Sequence, residues 1–193
     1  MASSINASTS GAGGLITTAD NTGILQLQSG GTTIATINST GLSMASGKVL
    51  APTGPAFSAY QSSAQSIAHN TFSKVQFQTK NFDTNSNFDN TTNYRYTPTV
   101  AGYYFVDARA AFNSLSQNSF SQILKNGGSE ANSPTAIPWA GIANSQSSVS
   151  ALVYMNGSTD YLEVWAYQAS GGALSLIAGT NITAFSAFLV RAA

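Results

Sequence analysis

The chain has 193 residues, with no cysteine, a single histidine and very little charge. Without cysteine there is neither a disulfide framework nor a thiolate metal site. Lysine plus arginine number seven and aspartate plus glutamate seven, giving no net charge and only 7 % charged residues, where about a quarter is usual. Such a chain carries no basic stripe to neutralise phosphates, which argues against nucleic acid as a partner. No run approaches the roughly 20 apolar residues that a membrane-spanning helix needs, so membrane insertion is not expected. The opening MASSINASTSGAGG lacks both the basic and the apolar region of an export signal, an expectation of synthesis in a host cytoplasm. The first 56 residues also lack Phe, Tyr and Trp, so they cannot bury much area on their own.

What is present is apolar content without charge. Hydrophobic residues make up 42 % of the chain, too many for a largely disordered one. Its solubility falls to Ser, Thr, Asn and Gln. Even the aromatic-free start has pattern. ILQLQ at 24–28 alternates Leu25 and Leu27 with Gln26 and Gln28, as a half-buried strand does. Gly30-Gly31 marks a turn before TTIATIN at 32–38, a second strand-like run. Thr22-Gly23-Ile24 followed by Ser29-Gly30 returns loosely as Thr40-Gly41-Leu42 followed by Ser46-Gly47, a weak repeat of turn plus short strand. Such a unit reads either as a flexible linker or as one strand set of a narrow fibre whose core several chains share.

APTGP at 51–55 places two prolines around a glycine, a hinge signal. The expected organisation is an attachment or fibre segment over 1–50, a hinge over 51–56 and a β-domain over 57–193. In that last part, runs rich in Val, Ile, Tyr, Phe and Thr predict strands near 57–62, 71–79, 94–97, 101–112, 119–125, 148–155, 160–168, 173–177 and 182–191. No helical periodicity of useful length occurs. Many short strands and no helix point to an all-β sandwich or jelly roll.

The order of motifs carries a resemblance. Phe57-Ser58-Ala59, Phe72-Ser73-Lys74-Val75 with Phe77, Phe82-Asp83, Phe88-Asp89, Tyr96-Thr97-Pro98, Ala101-Gly102-Tyr103-Tyr104-Phe105 and a closing Thr183-Ala184-Phe185-Ser186-Ala187-Phe188-Leu189-Val190 follow one another. So do the Leu124-Lys125-Asn126-Gly127 turn and the strand from Asp160 to Trp165. Over about 57–191 this resembles the C1q/TNF-like domain, a jelly roll that assembles as a trimer. The family's Gly-Asp before one strand is replaced here by Asn156-Gly157-Ser158-Thr159-Asp160, and no collagen repeat precedes the domain. The leading segment, about 20–48, resembles stretches of bacteriophage tail-fibre and appendage proteins.

Candidate sites are few. In NFDTNSNFDNTTNYRY, Phe82, Phe88 and Tyr96 are candidate core residues at strand ends, with Asp83, Asn85, Asn87 and Asp89 in turns between them. Gly102 is expected where the backbone packs tightly. Asp83-Thr84-Asn85-Ser86-Asn87 imitates the start of a helix-flanked calcium loop, but Phe88 and Tyr94 stand where that loop needs Gly and Glu; a looser oxygen cage, or calcium at a trimer axis, is left open. His69 alone cannot form a multi-histidine site, and no GxSxG elbow accompanies it. Asp83 and Asp89 lie close in sequence, but a glycosidase pair must face one sugar across a cleft. Asp107 and Arg109 share a predicted strand face, which suits pairing across strands. No active site and no cofactor are expected.

The most suggestive loop is Ser133-Pro134-Thr135-Ala136-Ile137-Pro138-Trp139-Ala140-Gly141. Its prolines restrict the backbone around one large ring, so Trp139, with Pro134 and Pro138, is either a receptor-binding element or a plug for a subunit interface or sandwich edge. Trp165 reads as strand core or interface. Together the resemblances imply a non-enzymatic, homotrimeric virion protein: a tail fibre or appendage joined to other virion proteins by its N-terminal segment, with a head for a host-surface glycan or protein. A capsid head fibre or decoration protein is the alternative. A polysaccharide depolymerase fits poorly, because its groove needs carboxylates and this chain has five Asp and two Glu.

Overall fold

The computed structural model of the chain describes residues 23–46, 54–113, 119–129 and 146–193. Two compact units divide it, Met1–Pro52 and Thr53–Ala193. All regular elements among the described residues are strands.

In the first unit, β1 (Leu25–Ser29), β2 (Thr32–Asn38) and β3 (Gly41–Met44) form an antiparallel meander. Gly30 and Gly31 both take positive φ, 58° and 76°, which gives the two-residue turn whose twist matches a hairpin. In the next turn the Asn38 side chain accepts the Thr40 N–H at 2.9 Å. The register sets Leu25 opposite Ile37, Leu27 opposite Ala35, Ile37 opposite Leu42 and Ala35 opposite Met44. One face of the sheet is therefore apolar, while Gln26, Thr36 and Ser43 fall on the other.

The second unit is a two-sheet sandwich. Its strands are β4 (Ala56–Tyr60), β5 (Gln65–Ile67), β6 (Ser73–Lys74), β7 (Thr79–Asp83), β8 (Phe88–Asp89), β9 (Arg95–Tyr96), β10 (Gly102–Ala111), β11 (Ser119–Lys125), β12 (Gly128–Ser129), β13 (Gln146–Met155), β14 (Leu162–Gln168), β15 (Leu174–Leu176) and β16 (Ala184–Ala192). One sheet runs β13-β10-β16-β4-β7; the other runs β12-β11-β14-β9-β8, with β6 also on β14; β15 and β5 pair apart. Sequence neighbours are thus often distant within a sheet, and non-local pairing dominates.

The core lies between the sheets. Tyr104, Val106, Ala108 and Ala110 of β10 and Val149, Val153 and Met155 of β13 face Ile123 of β11 and Leu162, Val164 and Ala166 of β14. An aromatic cluster fills one part: Phe57 stacks on Phe88 at 4.8 Å and on Tyr96 at 4.3 Å, and meets Phe185 edge-on at 4.9 Å. Tyr104 donates its hydroxyl to Val100 O at 2.8 Å, and burial pushes that hydroxyl up to about 12.

Phe88 and Tyr96 take the core positions expected of them, but Phe82 does not. It is 51 % exposed, because β7 pairs it with Ser58 on the outward side of β4. The strand expected over 71–79 is also broken. Only Ser73–Lys74 pairs with β14, with the Val75 N–H also donating to Val164 O at 2.8 Å; beyond it the Gln76 N–H is satisfied by the Gln65 side chain instead of a ladder. Gly102 is needed as expected: a Cβ there would sit 2.3 Å from Arg191 O.

Candidate assembly surface

β10 alternates cleanly, but its outward positions are not polar. Tyr103 and Phe105 point away from the core, 45 % and 39 % exposed. Leu152 and Tyr154 of β13 and Phe188 of β16 share that side. Register brings them together: Tyr103 faces Tyr154, and Phe105 faces both Leu152 and Phe188. The ring centroids of Tyr103 and Tyr154 lie 5.5 Å apart, those of Phe105 and Phe188 5.7 Å. Val190, the extra residue at a bulge in β16, extends the patch. An apolar group this contiguous on a sheet face is the mark of an interaction surface.

Further along the same face the character changes. Asp107 and Arg109 follow Phe105 at the next outward positions of β10. Their cross-strand neighbours are Ser150 and Ser186, and Ser148 and Ala184, respectively. The pairing across strands expected of these two charges is therefore absent: small residues stand opposite each. Beyond them a shallow hollow of about 300 Å³ is lined by Ala111, Gln146, Ile177, Asn181 and Ile182, none of which can act as an acid or base at ordinary pH.

Solved structures share this arrangement of strands. A solved chain of murine APRIL matches with a TM-score of 0.54 at 11 % identity, over 71 % of this chain and 99 % of that one. The fold is the TNF/C1q-like jelly roll. The globular domain of zebrafish complement 1qA gives 0.50 at 17 % identity, over 72 % of this chain and 99 % of that domain. The vertex protein of bacteriophage PRD1 gives 0.51 at 14 %, over 71 % and 97 %. No protein-family model and no curated protein matches the sequence.

Within the jelly roll the expected turn residues have structural work. Asp83 accepts the N–H groups of Asn87 and Phe88 at 3.0 Å each and pairs with Lys80 at 3.1 Å. Asp89 accepts the N–H groups of Thr91, Thr92 and Asn93 and the Asn93 side-chain amide. The N–H groups of Thr92 and Thr91 foremost hold its carboxyl well below the usual carboxylate range. Both carboxylates are thus engaged in holding their own turns. His69 is exposed and accepts the Gly171 N–H at Nδ1, 3.0 Å. Among the described residues no group of three or more His, Cys, Asp or Glu could hold a metal ion.

Trp165 is half-buried on β14 and donates to Glu163 Oε2 at 2.9 Å; Glu163 pairs with Lys74 at 2.6 Å. It belongs to a strand-face network on the other sheet. Asn156-Gly157-Ser158-Thr159-Asp160, the departure from the family pattern, builds a turn in which Asn156 Oδ1 accepts the N–H groups of Ser158, Thr159 and Asp160. Burial alone would raise the Asp160 carboxyl, but Asn126, the Asn156 N–H and Lys125 together hold it low. The loop with Pro134, Pro138 and Trp139 lies outside the described residues.

The apolar patch went unread in the sequence, although a signal was there. YYFV at 103–106, ALVYM at 151–155 and AFLV at 187–190 are apolar at both parities. Runs of that kind belong to strands covered on both faces.

Proposed function

We propose that the chain is a homotrimeric virion protein, a tail fibre or appendage whose jelly-roll domain serves as a head for host-surface binding. The observation that carries this is the outward face of Tyr103, Phe105, Leu152, Tyr154, Phe188 and Val190. A single copy leaves each of them between 39 % and 54 % exposed, and obligate interfaces are built from such core-like surface. Beside the patch, β13, ten residues long, is the edge strand of its sheet among the described residues. An edge docked on the next copy's face is a heterologous contact, and three such contacts close into a ring.

The N-terminal sheet makes the same demand. Leu25, Leu27, Ile37 and Leu42 lie on one side of it, 41 % to 55 % exposed. Packing three such faces together gives the segment a core that one copy lacks, which favours the shared fibre over a linker and suits attachment to other virion proteins. Multivalency then supplies mechanism: three weak head sites held together gain effective concentration without stronger individual contacts. Trp139, stiffened by Pro134 and Pro138, is the proposed contact to a glycan or protein. Likeness to the vertex protein of PRD1 favours a second siting, as a head fibre or decoration protein on the capsid.

Three measurements test the reading. Sedimentation of the full chain should give three times its 19.9 kDa mass; a monomer at micromolar concentration defeats the assembly. Antibody labelling of intact particles under the electron microscope should mark a tail or a vertex; unlabelled particles defeat the virion assignment. Removing residues 1–50 should leave a β-rich trimer that no longer joins particles.

A further inference from the structure

We infer that Asp107 and Arg109 form an ion pair between copies, Arg109 of one with Asp107 of the next, and that this pair sets the register of the trimer. The inference rests on the trimer proposed above and assigns it a specific polar lock. Among the described residues nearly every charge is already committed within the chain. Lys74 pairs with Glu163, Lys80 with Asp83 and Lys125 with Asp160. Asp89 is saturated by its own loop, and Arg95 lies over the Tyr161 ring at 4.5 Å. That leaves Asp107, Arg109 and the exposed Arg191 at the far end of the face.

Asp107 and Arg109 are placed differently from ordinary surface charges. They stand on β10, the second strand of the five, half-buried and continuous with the apolar patch. The Nε–H of Arg109 is buried and has no hydrogen-bond partner among the described residues, a costly condition unless an acceptor arrives from another copy. Small neighbours on both flanking strands, Ser148, Ser150, Ala184 and Ser186, leave room above the two charges for side chains of another copy. One acid and one base at alternate positions of one strand give every copy both a guanidinium for the next copy and a carboxylate for the previous one around the three-fold axis. Outward neighbours on a strand are only about 7 Å apart along it, within reach of an arginine side chain. Around a ring of three, each copy gives one guanidinium and takes one, so no charge is left over. A desolvated pair of this kind contributes more to specificity than to net stability, because removing either member strands the other.

Charge reversal in the full chain tests this by equilibrium sedimentation. Asp107→Arg alone and Arg109→Asp alone should each weaken trimer association at least about 30-fold, or fail to yield soluble protein. The double variant Asp107→Arg/Arg109→Asp restores an opposite pair at every interface and should return association to within about five-fold of the parent. Single variants that assemble like the parent overturn the pairing while leaving the trimer intact. A double variant no better than the singles, insoluble or dissociated, overturns it equally. A parent chain that sediments as a monomer instead overturns the assembly reading itself.

Discussion

Leu152 and Val153 are adjacent on β13 and point to opposite sides of one sheet, so substituting each with glutamine separates assembly from folding. Leu152 is 54 % exposed and Val153 5 %. Burying a whole leucine side chain is worth about 1.5–3 kcal/mol, so the half still exposed could contribute about 0.8–1.6 kcal/mol per copy when a partner covers it. Three copies make about 2–5 kcal/mol, or about 30-fold to several thousand-fold in the association constant at 1.4 kcal/mol per decade. Leu152→Gln should therefore dissociate the trimer by about that factor, read by sedimentation equilibrium across a concentration series. Its intrinsic cost to a single folded domain should stay within about 0.5 kcal/mol, as for surface positions generally. Val153→Gln should do the opposite kind of damage, placing an amide in the core and costing about 3 kcal/mol or more of folding stability. Circular dichroism and urea titration report that difference. A Leu152→Gln protein that holds its trimer unchanged would refute the claim that this face is the interface.

Further outcomes follow, three from the geometry and one from the proposed function. Asp89→Ala should cost about 1–2 kcal/mol of stability at neutral pH by removing a cap on three backbone N–H groups. Since the folded Asp89 carboxyl titrates below its unfolded value of about 4, its contribution is complete above about pH 5 and lost as pH falls; Asp89→Asn should flatten urea stability between about pH 5 and 2. Gly157→Ala should cost about 2 kcal/mol or more, because Gly157 holds φ +71° and a Cβ would stand 2.4 Å from Ala101 N; thermal melting measures it, and an unchanged melting temperature would contradict the turn geometry. Trp139→Ala should weaken host-surface binding in a particle-adsorption assay while leaving the melting temperature within a few degrees; a large melting loss would identify the indole as packing instead.

Local chemistry determined much of this molecule from the sequence alone. Runs rich in Val, Ile, Tyr and Phe marked β10, β11 and β16 nearly to their ends, since branched and aromatic side chains fit a pleated surface whatever the sheet packs against. Asn126-Gly127 encoded its hairpin through two positive φ values, 55° and 74°, and Asp83 and Asp89 announced turns because short carboxylates cap nearby N–H groups. The short strands β5, β7 and β8 were not legible. They exist through partners far away in the chain, such as Ile67 with Leu174 and Phe57 with Asp83, and two to five residues carry too little pattern to show a period. Strand order decided the rest. Only once β13, β10 and β16 lie side by side do Tyr103, Phe105, Leu152, Tyr154 and Phe188 become one surface, and only then do Asp107 and Arg109 stand over serines and alanine with no counter-charge opposite. A sequence pattern reports which residues share a face of one strand; which strands share a sheet, and so what a face presents to the outside, depends on long-range packing.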